Sequence, residues 1–102
     1  MDRDKLTPQE LAAGVSALHE DWSGTGESLT RTVEFPTFLR AVEFVSAMAP
    51  VAERLDHHPD LRLSWRTIEL ELSTHSSGGV TEYDLALASE LDPLIAQLQA
   101  AE

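Results

Sequence analysis

The chain has 102 residues, with eighteen Asp+Glu against seven Lys+Arg for a formal net charge of −11, and it contains no cysteine. That length fits one domain over residues 1–102, and a content of 42% hydrophobic and 25% charged residues argues against wholesale disorder. The charge repels phosphate backbones and anionic lipids, so neither nucleic acid nor a membrane is an expected partner, while the missing cysteines remove disulfides, thiolate metal sites and cysteine nucleophiles.

The chain opens on charged MDRDKLTPQE, in which no signal peptide is visible, and no apolar run is long enough for a membrane span, so a cytoplasmic protein is expected. Thr7-Pro8-Gln9-Glu10 is a capping box with proline at the first helical position, and Leu11, Val15 and Leu18 continue as one apolar stripe. A helix is therefore expected from Pro8 to about His19. Ser23-Gly24-Thr25-Gly26 is a turn joining a short segment at Trp22 to a strand, in which Leu29, Val33 and Phe35 share one face and Ser28, Thr30, Thr32 and Glu34 the other.

A second helix opens at Pro36 and runs to about Leu55, with Phe38, Ala41, Val42, Val45, Met48, Ala52 and Leu55 as its apolar stripe and a kink expected at Pro50. Leu61, Leu63 and Trp65 then alternate with polar residues, as do Ile68, Leu70 and Leu72, and the change of parity places a tight turn or bulge near Arg66-Thr67. After the loop Ser76-Ser77-Gly78-Gly79, Thr81 caps a last helix with Asp84 at its third position, and Pro93 is expected to bend or divide that helix. The order is α-β-β-α-β-β-α. It predicts an α+β two-layer sandwich, a four-stranded antiparallel sheet with three helices on one face. The open sheet face and the edge strands invite a second copy of the chain.

Three of the four histidines stand at element ends: His57 and His58 before the third strand, His75 after the fourth. In an antiparallel hairpin these positions lie at the same sheet end, so three imidazoles, able to give and take protons near neutrality, can converge there. Taken singly, each candidate has an ordinary reading. His57-His58-Pro59 reads as a solvated link, Glu53 as a surface charge, Trp65 as core and Asp84 as a helix-start carboxylate. A zinc site built on these histidines with Asp56 is not expected, because adjacent histidines on a proline-stiffened link rarely aim both rings at one ion. Gly24-Thr25-Gly26 lacks the ending of a phosphate-binding loop and reads as a turn.

Together the candidates read Glu53, three spacers, His57-His58-Pro59, five spacers, Trp65, nine spacers, His75, eight spacers, Asp84. This spacing resembles the signature of the pterin-4a-carbinolamine dehydratases, and the passages Leu72-Ser73-Thr74-His75 and Gly79-Val80-Thr81 extend the resemblance over most of the chain. The resemblance implies a hydro-lyase that removes water from 4a-hydroxytetrahydropterin in tetrahydropterin recycling, with no cofactor and no metal. It implies proton transfer by His57 and His75, substrate binding by His58, and support from Glu53, Pro59, Trp65, Ser73, Thr74 and Asp84. It further implies a pterin as small-molecule partner and a homodimer or homotetramer. The alternative it leaves open is a non-catalytic dimerisation or regulatory binding module of the same fold.

Overall fold

Each helix of the computed structural model, which describes residues 1–101, starts on a threonine. Glu102, the last residue of the expected domain, lies outside the described residues. Thr7 caps α1 (Pro8–Ser16), its hydroxyl accepting from Glu10 N while the Glu10 carboxylate accepts from Thr7 N, so two otherwise unpaired backbone donors are satisfied. Thr37 caps α2 (Phe38–Leu55), and Thr81 caps α3 (Glu82–Ala100). The strands are β1 (Ser23–Gly24), β2 (Leu29–Glu34), β3 (Asp60–Ser64) and β4 (Thr67–Leu72), in the sheet order β1-β2-β4-β3 with every pair antiparallel. The fold is the expected α+β sandwich in the expected element order.

Alternation decides which face is covered. Leu29, Val33 and Phe35 from β2 and its end, with Ile68, Leu70 and Leu72 from β4, are buried against Ala41, Phe44, Met48 and Ala52 of α2 and Leu87, Ala88, Leu91 and Ile95 of α3. Residues of α1 reach this core only in part, through Leu11 and Val15. The opposite sheet face stays wet, and it is acidic: Glu34, Asp60, Glu69 and Glu71 are exposed there beside Thr30, Thr32 and Arg62. Its carboxylates oppose a second copy laid face to face, a repulsion the hydropathy pattern does not reveal.

Several local expectations change. The buried stripe of α2 runs through Ala41, Phe44, Met48 and Ala52, while Phe38 and Val42, four residues apart, fall to one side of it and are exposed. Both α2 and α3 continue through their prolines. Pro50 and Ser46, like Pro93 and Ser89, sit on exposed helix surface, where water can satisfy the carbonyl that loses its donor. The turn between β3 and β4 lies one residue earlier than expected. Ser64 pairs with Thr67, so Trp65 and Arg66 form the turn, with Trp65 at φ 52°. Trp65 is consequently 70% exposed rather than core, with the Arg66 guanidinium over its ring.

Arg31 supplies the largest departure from the apolar pattern. It falls on the covered face of β2 with a side chain 2% exposed, and its Nη1 meets Asp92 Oδ1 of α3 at 2.8 Å. The same oxygen accepts from Trp22 Nε1 at 2.6 Å, and the other accepts from His19 N at 3.0 Å. Asp92 thus ties the post-α1 turn and β2 to α3. Replacing Asp92 with alanine leaves a buried guanidinium and an indole N–H without their acceptor, and is expected to cost about 3–5 kcal/mol of unfolding free energy, measured by urea denaturation.

Candidate active site

Helix α2 ends on Asp56 in the left-handed region at φ 49°, a conformation that Asp tolerates better than most residues. That reversal, with His57 N donating to Ala52 O at 3.0 Å, turns the next side chain inward. The His57 ring is 6% exposed, and its Nε2 lies 2.5 Å from Asp84 Oδ1. Asp84 is itself fully buried. Its Oδ2 accepts from Thr81 N at 2.9 Å, completing the α3 capping box, and from Thr74 Oγ1 at 2.8 Å. With the Thr74 proton given to Asp84, the 2.8 Å contact between the two threonine hydroxyls has Thr81 as donor. An ionised carboxylate only accepts, so the contact at Oδ1 places a proton on His57 Nε2, and whenever the ring is neutral Nδ1 is its acceptor.

The other two histidines also face carboxylates, but in water. His58 Nε2 meets Glu53 Oε2 at 2.8 Å, with both side chains more than half exposed. His75, 79% exposed, stands 3.5 Å from Asp60 Oδ2. His75 begins a short 3-10 turn, His75–Ser77, whose base is closed where Thr74 bridges Gly79. Gly78 takes φ 77°, and a Cβ on Gly79 would stand 2.2 Å from Gly26 O, so the loop needs both glycines to double back against the β1–β2 turn. Beside it lies an open pocket of about 300 Å³ lined by Glu27, Ser28, Glu71, Ser73, His75 and Gly78. Ser73 Oγ donates to Glu27 O at 2.7 Å across its floor.

These contacts close a ring. His57 and His58 are chain neighbours; Asp60, two residues on, meets His75; His75 follows Thr74; Thr74 binds Asp84, which binds His57. Half-buried Pro59 stands between His58 and Asp60 at the start of β3. Trp65 stands apart, in the turn after Ser64, the end of β3 that lies about 13 Å from Asp60 at the usual rise per strand residue. Asp60 and Tyr83, whose ring centre is 5.8 Å from that of His57, join the site without having been singled out in the sequence, and Thr81, read there as a helix cap, joins them. The register Asp60↔Glu71 is the signal for the first, because it sets Asp60 at the sheet end where His75 emerges. Among the described residues, no three His, Asp or Glu side chains are grouped to hold a metal ion, and no helix is long and apolar enough to cross a membrane.

The sequence profile described as pterin 4 alpha carbinolamine dehydratase matches residues 4–94. The chain belongs to this family. A relative from Mycobacteroides abscessus, provisionally named a pterin-4-alpha-carbinolamine dehydratase, is 44% identical over 90 residues, covering 88% of this chain and 95% of its own. One from Natronomonas pharaonis with the same provisional name is 40% identical over 91 residues, 89% of this chain and 96% of its own. Among solved structures, a transcriptional coactivator/pterin dehydratase from Brucella melitensis superposes with a TM-score of 0.85 at 33% identity, covering 90% of this chain and 99% of that one. A pterin dehydratase-like protein identified as a RuBisCO assembly factor in the alpha-carboxysome shares the fold, with a TM-score of 0.64 at 20% identity over 82% of this chain and 95% of that one.

Within this family member the buried and exposed histidine pairs should differ in energetic weight. Asp84→Ala strands the Thr81 amide, the Thr74 hydroxyl and His57 together, and an expected loss of about 2–5 kcal/mol should appear in chemical denaturation. His58→Ala at the exposed pair should cost less than about 1 kcal/mol in the same measurement.

Proposed function

We propose that the chain is a hydro-lyase that dehydrates 4a-hydroxytetrahydropterin to the quinonoid dihydropterin, in support of tetrahydropterin recycling. One domain carries the site, and the acid–base work falls to histidines. The observation that carries this reading is the ring of contacts joining His57, His58 and His75, each with its own carboxylate. The reaction breaks the C4a–O bond as the N5 lone pair forms the C4a=N5 double bond; the departing hydroxyl takes up a proton and leaves as water, and N5 gives up its proton. One acid and one base therefore suffice. His57, with Nε2 committed to Asp84 and Nδ1 open as an acceptor, suits the base. His75, in contact with solvent, suits the acid that protonates the hydroxyl. His58, Ser73 and Thr74 are assigned to holding the pterin, with Glu53 and Pro59 setting His58 and Asp84 setting His57. Trp65 is given no part in this mechanism within one chain, because it lies at the far end of the hairpin.

Synthetic 4a-hydroxytetrahydropterin should lose water faster in the presence of the protein. His75→Ala is expected to remove most of that acceleration, by about 10²–10⁴-fold in kcat/KM. A His75→Ala variant with full activity, followed by the absorbance of the dihydropterin product, overturns the assignment.

A second reading, a dimerisation or regulatory module, has support of its own. Phe38, Leu39 and Val42 are 53%, 62% and 36% exposed along the start of α2, and the Brucella melitensis relative carries the name coactivator beside dehydratase. A self-associating surface here accounts for the exposed apolar side chains and is compatible with catalysis. On this reading the protein is a homodimer or homotetramer, and Leu39→Glu should lower the mass measured by light scattering while leaving dehydration intact. An unchanged mass removes α2 from the interface.

A further inference from the structure

Residues 1–6 lie as a strap across the segments that carry the site. The strap is pinned where Leu6 N donates to Val80 O at 2.9 Å, just before the Thr81 cap. Arg3, within the strap, touches three segments at once. Its carbonyl accepts from Ser77 Oγ, in the turn that begins with His75. Its guanidinium donates to the Asp56 carbonyl at 3.2 Å, one residue before His57, and lies 3.9 Å from the Asp56 carboxylate. The same guanidinium sits 4.0 Å from the centre of the Tyr83 ring, which in turn packs against His57.

Each of these contacts is small alone, since partly exposed cation–π and ion-pair contacts are individually weak. Their joint effect differs in kind. The Asp84 carboxylate holds Thr74, Thr81 and the His57 ring, but it does not reach Ser77 or the backbone at Asp56. Arg3 supplies that outer tie, joining the turn after His75 to the helix end before His57. Two-histidine acid–base chemistry depends on the separation of the two rings, and a misplacement of about 1 Å can lower a rate by about a hundredfold.

We infer that Arg3 is a positioning residue, fixing the His57 segment against the His75 segment without touching the substrate. The inference rests on the dehydratase reading for its catalytic consequence and on geometry alone for the tie.

The test compares wild type with Arg3→Ala, Arg3→Lys and Ser77→Ala by amide hydrogen exchange and by steady-state dehydration. Arg3→Ala removes the guanidinium from Asp56 and Tyr83 but keeps the main-chain carbonyl that accepts from Ser77, so exchange should quicken in residues 56–60 while residues 87–95 of α3 keep wild-type protection. kcat should fall about ten- to a hundredfold with KM within about twofold. Arg3→Lys keeps the charge but loses the planar stack, so it should recover part of both effects. Ser77→Ala should loosen 74–79 alone. Unchanged exchange in both segments overturns the tie, and a uniform loss of protection through the core reduces Arg3 to a general stabiliser. An active wild type with unaltered kcat in Arg3→Ala overturns the positioning role. If wild type shows no dehydration at all, the pterin reading fails, and the exchange comparison still decides whether Arg3 joins the two segments.

Discussion

Asp84 accepts hydrogen bonds from the cap of its own helix, from a threonine just past β4 and from a histidine beyond another helix. A fully buried carboxylate is costly unless its lone pairs are used, and here one donor from its own helix start and two from other segments use them. The same requirement fixes geometry. To satisfy Asp84, α3 must start at Thr81, β4 must deliver Thr74, and the turn after α2 must bring His57 inward. The capping box of α3 is therefore more than a helix start; its carboxylate is where the covered core meets the proposed chemistry.

Around that anchor the three histidines occupy three levels of exposure. His57 is enclosed and held by its Nε2 contact with Asp84, His58 is half in water, and His75 is the most exposed. The same side chain in the same cluster thus has different mobility and different access to solvent protons, which suits a division of labour between holding a proton acceptor still and exchanging protons with water. The carboxylate beside each ring is local for His58 and comes from another element for His57 and His75.

The features governed by neighbours in the chain were legible in the sequence. The box at Thr7 and Glu10, the one at Thr81 and Asp84, and the alternation in β2 and β4 follow from spacing alone, and each is found where spacing puts it. The histidine motif, too, pointed to the sheet end where those residues meet. What escaped depended on contacts across the fold. Arg31 on a buried face is unremarkable as sequence until Asp92 arrives from α3. Asp60 became a partner of His75 only through strand register, and Trp65 moved from expected core to surface because the turn came one residue early. Phe38 and Val42 likewise fit the apolar spacing of α2 yet stay exposed, because the fold decides which flank of the stripe is covered.

The two tryptophans of the chain sit in opposite environments, Trp22 buried with its indole N–H bound to Asp92 and Trp65 out in a turn. The molecule therefore contains two optical probes of distinct character. A quencher dissolved in the solvent silences Trp65 and leaves Trp22 as a reporter of the contact at Asp92, where the segment after α1 and β2 meet α3. Light emitted by the protein after such quenching comes from the interior, so loosening of that helix against the sheet can be followed separately from events at the hairpin tip.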